Sequence, residues 1–151
     1  MSASGHAVRV TTRTEDGRAA IEQTGAECWI GTPDRLATLR GALANVTIAC
    51  WMLAGAHGEP DAVRALHGSR LEFFLTQAID TTVRGLIYDA TPGHVPPDAL
   101  AEGERLVRTL TELNAIPMAL LGADGTTAVA GDERAWLGEA AAAVERLLAR
   151  G

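Results

Sequence analysis

The stretch Val83-Arg84-Gly85-Leu86-Ile87-Tyr88-Asp89 decides the fold. It has almost no polar interruption and closes on an acid, so it reads as a strand covered on both faces. Such a strand needs helices on either side of its sheet, and the flanking sequence supplies them. Upstream, Asp61 to Asp80 offers Val63, Leu66, Phe73, Phe74 and Ile79 for burial along a helix. Downstream, Pro97 to Asn114 carries Leu100, Leu106, Val107, Leu110 and Leu113 on one side, and Ile116 to Leu121 is the next covered strand.

Working further outward, Val46-Thr47-Ile48-Ala49-Cys50-Trp51-Met52 reads as a buried strand, being short, β-branched at its start and closed by glycines. The alternative is a helix running on to Gly55. Before it, Thr32-Pro33-Asp34 has the form of a helix start, and Leu36, Leu39 and Leu43 form one stripe. Asn45 is the candidate terminator.

At the amino end, His6 to Arg13 alternates as a strand and Glu15-Asp16-Gly17 is a turn signal. Ala19 to Thr24 then returns as a second strand, which Cys28-Trp29-Ile30 extends or replaces. At the carboxyl end, Asp124-Gly125 is a turn and Thr126 to Ala130 a short strand. Asp132 caps a final helix with Trp136, Leu137, Ala140, Val144, Leu147 and Leu148 on its apolar stripe. The expected fold is a single layered α/β domain over residues 1–151, with 1–6 flexible. Its sheet is mixed but mostly parallel, opening with an N-terminal β-hairpin and flanked by helices.

The 151 residues are 47% hydrophobic and 21% charged, a balance that can fill a core and excludes wholesale disorder. Aromatic residues are only 4%, so that core is mainly aliphatic. All 13 basic residues are arginine, which points to an arginine-favouring bacterial genome more than to a function. Against 19 acids they leave a net charge of −6, which gains nothing from counterion release on nucleic acid or from anionic lipid. The most apolar run, Val46 to Ala56, is about half the roughly 20 residues a bilayer-crossing helix needs. No basic-then-apolar leader opens the sequence. Cys28 and Cys50 form neither a CxxC pair nor a disulfide framework, so a reducing cytoplasm is the expected setting.

In open α/β sheets, ligands collect at the carboxyl ends of strands, and two loops qualify. Gly55-Ala56-His57-Gly58-Glu59-Pro60 has glycines that let backbone approach an anion. It lacks the spacing of both the dinucleotide fingerprint and the P-loop, and Glu59 brings negative charge where phosphate would bind. Helix capping is its simpler role. Asp89-Ala90-Thr91-Pro92-Gly93-His94-Val95-Pro96-Pro97 puts an acid, a hydroxyl and an imidazole within six residues. Its prolines suit either a preorganised site or a rigid docking surface, and its simplest role is a turn in which Asp89 and Thr91 satisfy backbone amides.

His6, His57, His67 and His94 have no metal-ligand spacing, and the three serines, Ser2, Ser4 and Ser69, include no nucleophile elbow. Cys50, among apolar neighbours, reads as a packing residue with an inert thiol. Arg105 and Arg108, with Glu102, Glu104 and Glu112, read as the solvated face of their helix. No catalytic residue, metal or cofactor is expected from these patterns.

The central strand Val83 to Asp89, the helix Leu100 to Leu113, the strand Ile116 to Leu121 and the segment Thr126 to Leu137 together resemble the STAS domain, the family of anti-sigma-factor antagonists. The resemblance implies a regulatory protein-interaction module. Where that family carries a phosphorylatable serine, this chain offers Thr91 as the only hydroxyl between Thr91 and Ala99. Two expectations from different classes follow. The first is a non-catalytic module that captures a protein partner through Asp89, Thr91, His94 and the facing His57. The alternative is a small enzyme or small-molecule-binding protein using the crevice at the strand ends, with histidine as acid or base. Self-association is expected in either case, to cover surplus Leu and Ala surface.

Overall fold

A computed structural model describes residues 4–122 and 132–150, in which strands and helices alternate. In chain order they are β1 (Arg9–Thr12), α1 (Arg18–Gln23), β2 (Glu27–Ile30), β3 (Ile48–Trp51), α2 (Pro60–Leu66), α3 (Ser69–Ile79), β4 (Gly85–Asp89), α4 (Pro97–Leu113), β5 (Met118–Leu121) and α5 (Glu133–Leu148). The strands form two ladders, β1-β2 and β3-β4-β5, and every pairing is parallel. The α/β class read from the sequence is thus borne out. The expected strand Thr126–Ala130 and residues 1–3 of the expected flexible start lie outside the described residues.

β4 is the axis of the larger sheet, and all five of its residues are buried. On one face, Leu86 and Tyr88 pack with Trp51, Leu71, Phe74, Leu75, Leu106 and Val107 from β3, α3 and α4. On the other, Ile87 meets Leu121 of β5 and Ala140, Ala143, Val144 and Leu147 of α5. Asp132 caps α5 by accepting the amide of Ala135 at 3.0 Å. The pairs Arg105–Glu102 and Arg108–Glu104 lie on the solvated side of α4 as their spacing predicts.

Three local expectations are corrected. The opening hairpin does not form: Arg18–Gln23 is helical, and β2 runs parallel to β1. Gly25, at φ +86°, is the left-handed residue just past the helix cap, so Thr24-Gly25 and not Asp16-Gly17 makes the decisive turn. Cys28-Trp29-Ile30 therefore replaces the second strand. The helix expected from Thr32 is instead two 3-10 turns, Leu36–Thr38 and Gly41–Leu43. The Trp29 indole N–H donates to the Thr38 carbonyl at 2.7 Å, taking the acceptor that an α-helix would offer to the Ala42 amide. Ala42 turns to Leu39 instead. The stripe is nevertheless right, since Leu36, Leu39 and Leu43 are all buried, and Asn45 ends the segment at φ +60°. Finally, the helix over Asp61–Asp80 is broken at His67-Gly68 into α2 and α3.

That break has a tertiary cause. His67 is fully buried, its Nε2 3.1 Å from the Leu53 carbonyl and its Nδ1 2.6 Å from the Tyr88 hydroxyl. A carbonyl only accepts, so Nε2–H donates to Leu53 and Nδ1 accepts from Tyr88. Burial holds the imidazole below its ordinary pKa and pushes the phenol up, so both groups are neutral.

Candidate functional site

β3 ends at Trp51 and β4 at Asp89, side by side in one ladder, so the loops that follow them leave the sheet together. Ala54 from the first loop and Val95 from the second are buried with Val63 of α2 and with Ala99 and Leu100 of α4. Arg64 of α2 and Asp98 of α4 are joined across the surface at 2.8 Å. This small apolar cluster pins both loops, and their tips converge. The rings of His57 and His94 lie 6.4 Å apart, centroid to centroid, at 61° to each other. Both side chains are exposed.

Asp89, at the end of β4, is only 5% exposed. Its Oδ1 accepts the Thr91 amide at 3.0 Å and the Thr91 hydroxyl at 2.5 Å, closing an Asx-type turn. Gly122, after β5, touches this turn, since a β-carbon there would fall 2.6 Å from Thr91 Oγ1. The Gly122 amide donates to Glu139 Oε1 of α5 at 3.2 Å. Glu59 caps α2 by accepting the Ala62 amide at 3.0 Å, which is the structural role its position suggested.

The structure therefore joins the four candidates in two pairs. Asp89 and Thr91 are bonded to each other, while His57 and His94 are neighbours exposed to solvent. Sequence reasoning did not anticipate Glu139 or Gly122 nearby, and neither carries a local signal. Cys50 is exposed as a residue, while burial of its thiol pushes the pKa up to about 11. A small void of about 10 Å³ between α3, α4 and β4, lined by Leu75, Ala78, Val83 and Leu110, lies elsewhere and holds no more than one water. Among the described residues, no group of three or more His, Cys, Asp or Glu is placed to hold a metal. No described helix is long and apolar enough to cross a membrane.

No protein-family model and no curated protein matches the sequence. Solved structures do match in shape. The chain is similar to gox2253, with a TM-score of 0.62 and 19% identity over 79% of this chain and 44% of that one. It is similar to the triphenylmethane reductase of Citrobacter sp. complexed with NADP(H), with a TM-score of 0.56 and 19% identity over 74% of this chain and 38% of that one. A short-chain dehydrogenase/reductase superfamily protein from Agrobacterium tumefaciens with bound NAD gives a TM-score of 0.56 and 18% identity, over 77% of this chain and 48% of that one. The chain thus spans less than half the length of each.

At such identity the likeness is one of fold. It overturns the STAS resemblance and the regulatory, protein-capturing role drawn from it. The physical difference is at the amino end, where a parallel strand–helix–strand unit stands in place of the expected hairpin.

Proposed function

We propose that the chain binds a small molecule in the crevice at the carboxyl ends of β3 and β4. The observation that carries this reading is the convergence of His57 and His94 from the loops that follow β3 and β4. Open parallel sheets bind ligands outside the carboxyl ends of their strands, and these loops are the ones held there. Two exposed imidazoles at this spacing supply a donor or an acceptor each to one polar group between them. The Asp89–Thr91 turn fixes the backbone from which His94 projects.

The cofactors named for the reductases of similar fold suggest a nucleotide as the ligand class. The chain's own residues fit a whole dinucleotide poorly, because the fold grips the pyrophosphate with a Gly-x-Gly-x-x-Gly turn and the sequence contains none. A mononucleotide or a comparably small polar metabolite fits the reading better. The test is histidine-detected NMR titration with nicotinamide mononucleotide, AMP and NADPH. Binding is expected to move the His57 and His94 ring signals and to raise the melting temperature, with both effects lost in His57→Ala/His94→Ala. Unmoved ring signals with all three probes at millimolar concentration would overturn the reading.

A further inference from the structure

β1 and β3 are each an edge strand of their ladder. The carbonyls of Val8, just before β1, and of Thr12 accept the Glu27 and Gly31 amides of the β2 side. By strict alternation Val10 also faces β2, and the N–H and C=O groups of Arg9 and Thr11 point the other way. In β3, the Thr47 carbonyl accepts the Gly85 amide, so Ala49 and Trp51 face β4 while Ile48 and Cys50 face outward. Backbone bonds outside the ladders reach none of these four outward residues among the described residues. Contacts place the starts of both strands at one end of the molecule. Arg9 donates to the Ala42 and Ala44 carbonyls just ahead of β3, and His6 meets Glu145 of α5, close to where Leu147 packs on Gly85. These contacts fit a strand order of β2-β1, an open position, β3-β4-β5. A doubly wound sheet of order 3-2-1-4-5-6 has its first strand at that position.

Residue exposure agrees. Val10 is 38% exposed in the middle of β1, and Cys50 is exposed as a residue while its thiol is buried. Residues 4–8 lead directly into β1, and a strand parallel to β1 and adjacent to it needs a crossover of a dozen residues or so.

We infer that the edges of β1 and β3 form a docking slot for one apolar β-strand from outside this sequence, running parallel to both. The occupant is Val- and Ile-rich on both faces, because a strand flanked by parallel neighbours is covered on both sides. It is about five residues long, to match strands of four. It pairs with Arg9 and Thr11 on one edge and with Ile48 and Cys50 on the other. This slot also explains why the fold is that of dinucleotide-binding reductases while the glycine-rich turn is missing, since that turn follows the strand at this position. The inference rests on the backbone edges and stands apart from the histidine crevice.

The test is amide exchange by NMR, with and without a synthetic peptide carrying a five-residue Val/Ile run between lysine pairs. In the free monomer the amides of Arg9, Thr11, Ile48 and Cys50 are expected to exchange fast while those of Val10 and Ala49 are protected. One equivalent of bound peptide should slow the four by about tenfold or more. Thr11→Pro, which removes an N–H the β1-β2 ladder does not use, should abolish peptide binding and leave the Val10 amide protected. Protection of the four amides in the free monomer would overturn the inference by showing β1 and β3 closed on each other. Protection that appears only as the chain dimerises would overturn it in favour of a second copy. Failure of millimolar peptide to slow any of the four would overturn it outright. None of these outcomes involves His57 or His94, so the crevice reading is judged separately.

Discussion

Gly103 marks a close approach of α4 to β4. A β-carbon there would fall 2.0 Å from the Tyr88 hydroxyl and 2.6 Å from its ring carbon, and Tyr88 is fully buried and tied to His67. Gly103→Ala therefore gains helix propensity but overpacks the core, and a net loss of about 1–3 kcal/mol is expected in urea unfolding. An unchanged midpoint would mean that α4 can shift outward. His67 gives a second prediction, with a sign fixed by burial. Its folded pKa lies below the unfolded value, so the unfolded chain binds the proton first as pH falls. Stability from this group is complete above about pH 6.5 and declines below it, by at most about 1.4 kcal/mol per pH unit. His67→Gln should be less stable at neutral pH, and its stability should fall less steeply than wild type between about pH 6.5 and 5.5. Parallel slopes would remove His67 from the acid response.

Among the elements, those built on one strong pattern were legible. Val83–Asp89, Pro97–Asn114 and Ile116–Leu121 contain β4, α4 and β5 almost to the residue, because burial on both faces or along one stripe writes itself into the sequence. α1 was not legible, since Ala19, Ala20 and Ile21 suit a strand as well as a short helix, and the deciding residue, Gly25, follows them. The 3-10 turns depend on Trp29 reaching Thr38, a contact nine residues apart that no local period encodes. The candidate site was half legible. Asp89 and His94 stand out at a strand end, but the meeting of His57 with His94 needs β3 beside β4. The cap of α5 allows a direct measurement at this scale. Asp132→Ala removes the acceptor of the Ala135 amide and should cost about 1 kcal/mol. Because α5 covers Ile87 and Leu121, the loss should appear in global unfolding rather than as local fraying; fraying alone would mean that α5 docks without its first turn.

For the molecule as a whole, the split into a two-stranded and a three-stranded ladder predicts unequal resistance to opening. β1-β2 has two strands, with none of β1 buried, and two strands alone are marginal in water. β4 is buried throughout between two cores. Native-state amide exchange should therefore open Val10 and Trp29 at a lower free energy than Leu86 and Tyr88. Equal values would show one cooperative unit. The unpaired edges of β1 and β3 left no trace in the sequence for a simple reason: hydrophobic period records what a residue packs against within its own chain, and an unfilled edge has no residue to carry the record.

The bond between Tyr88 and His67 gives the chain an internal reporter. Tyr88 is the single tyrosine, and it lies in the most buried strand, so its ultraviolet absorption speaks for the centre of the sheet alone. Burial raises its pKa above the free phenol value of about 10, so its contribution to stability persists up to that pH and is lost only beyond it. Phenolate absorbance under alkali would then time the exposure of the core directly, with no label attached and no second chromophore of its kind to subtract.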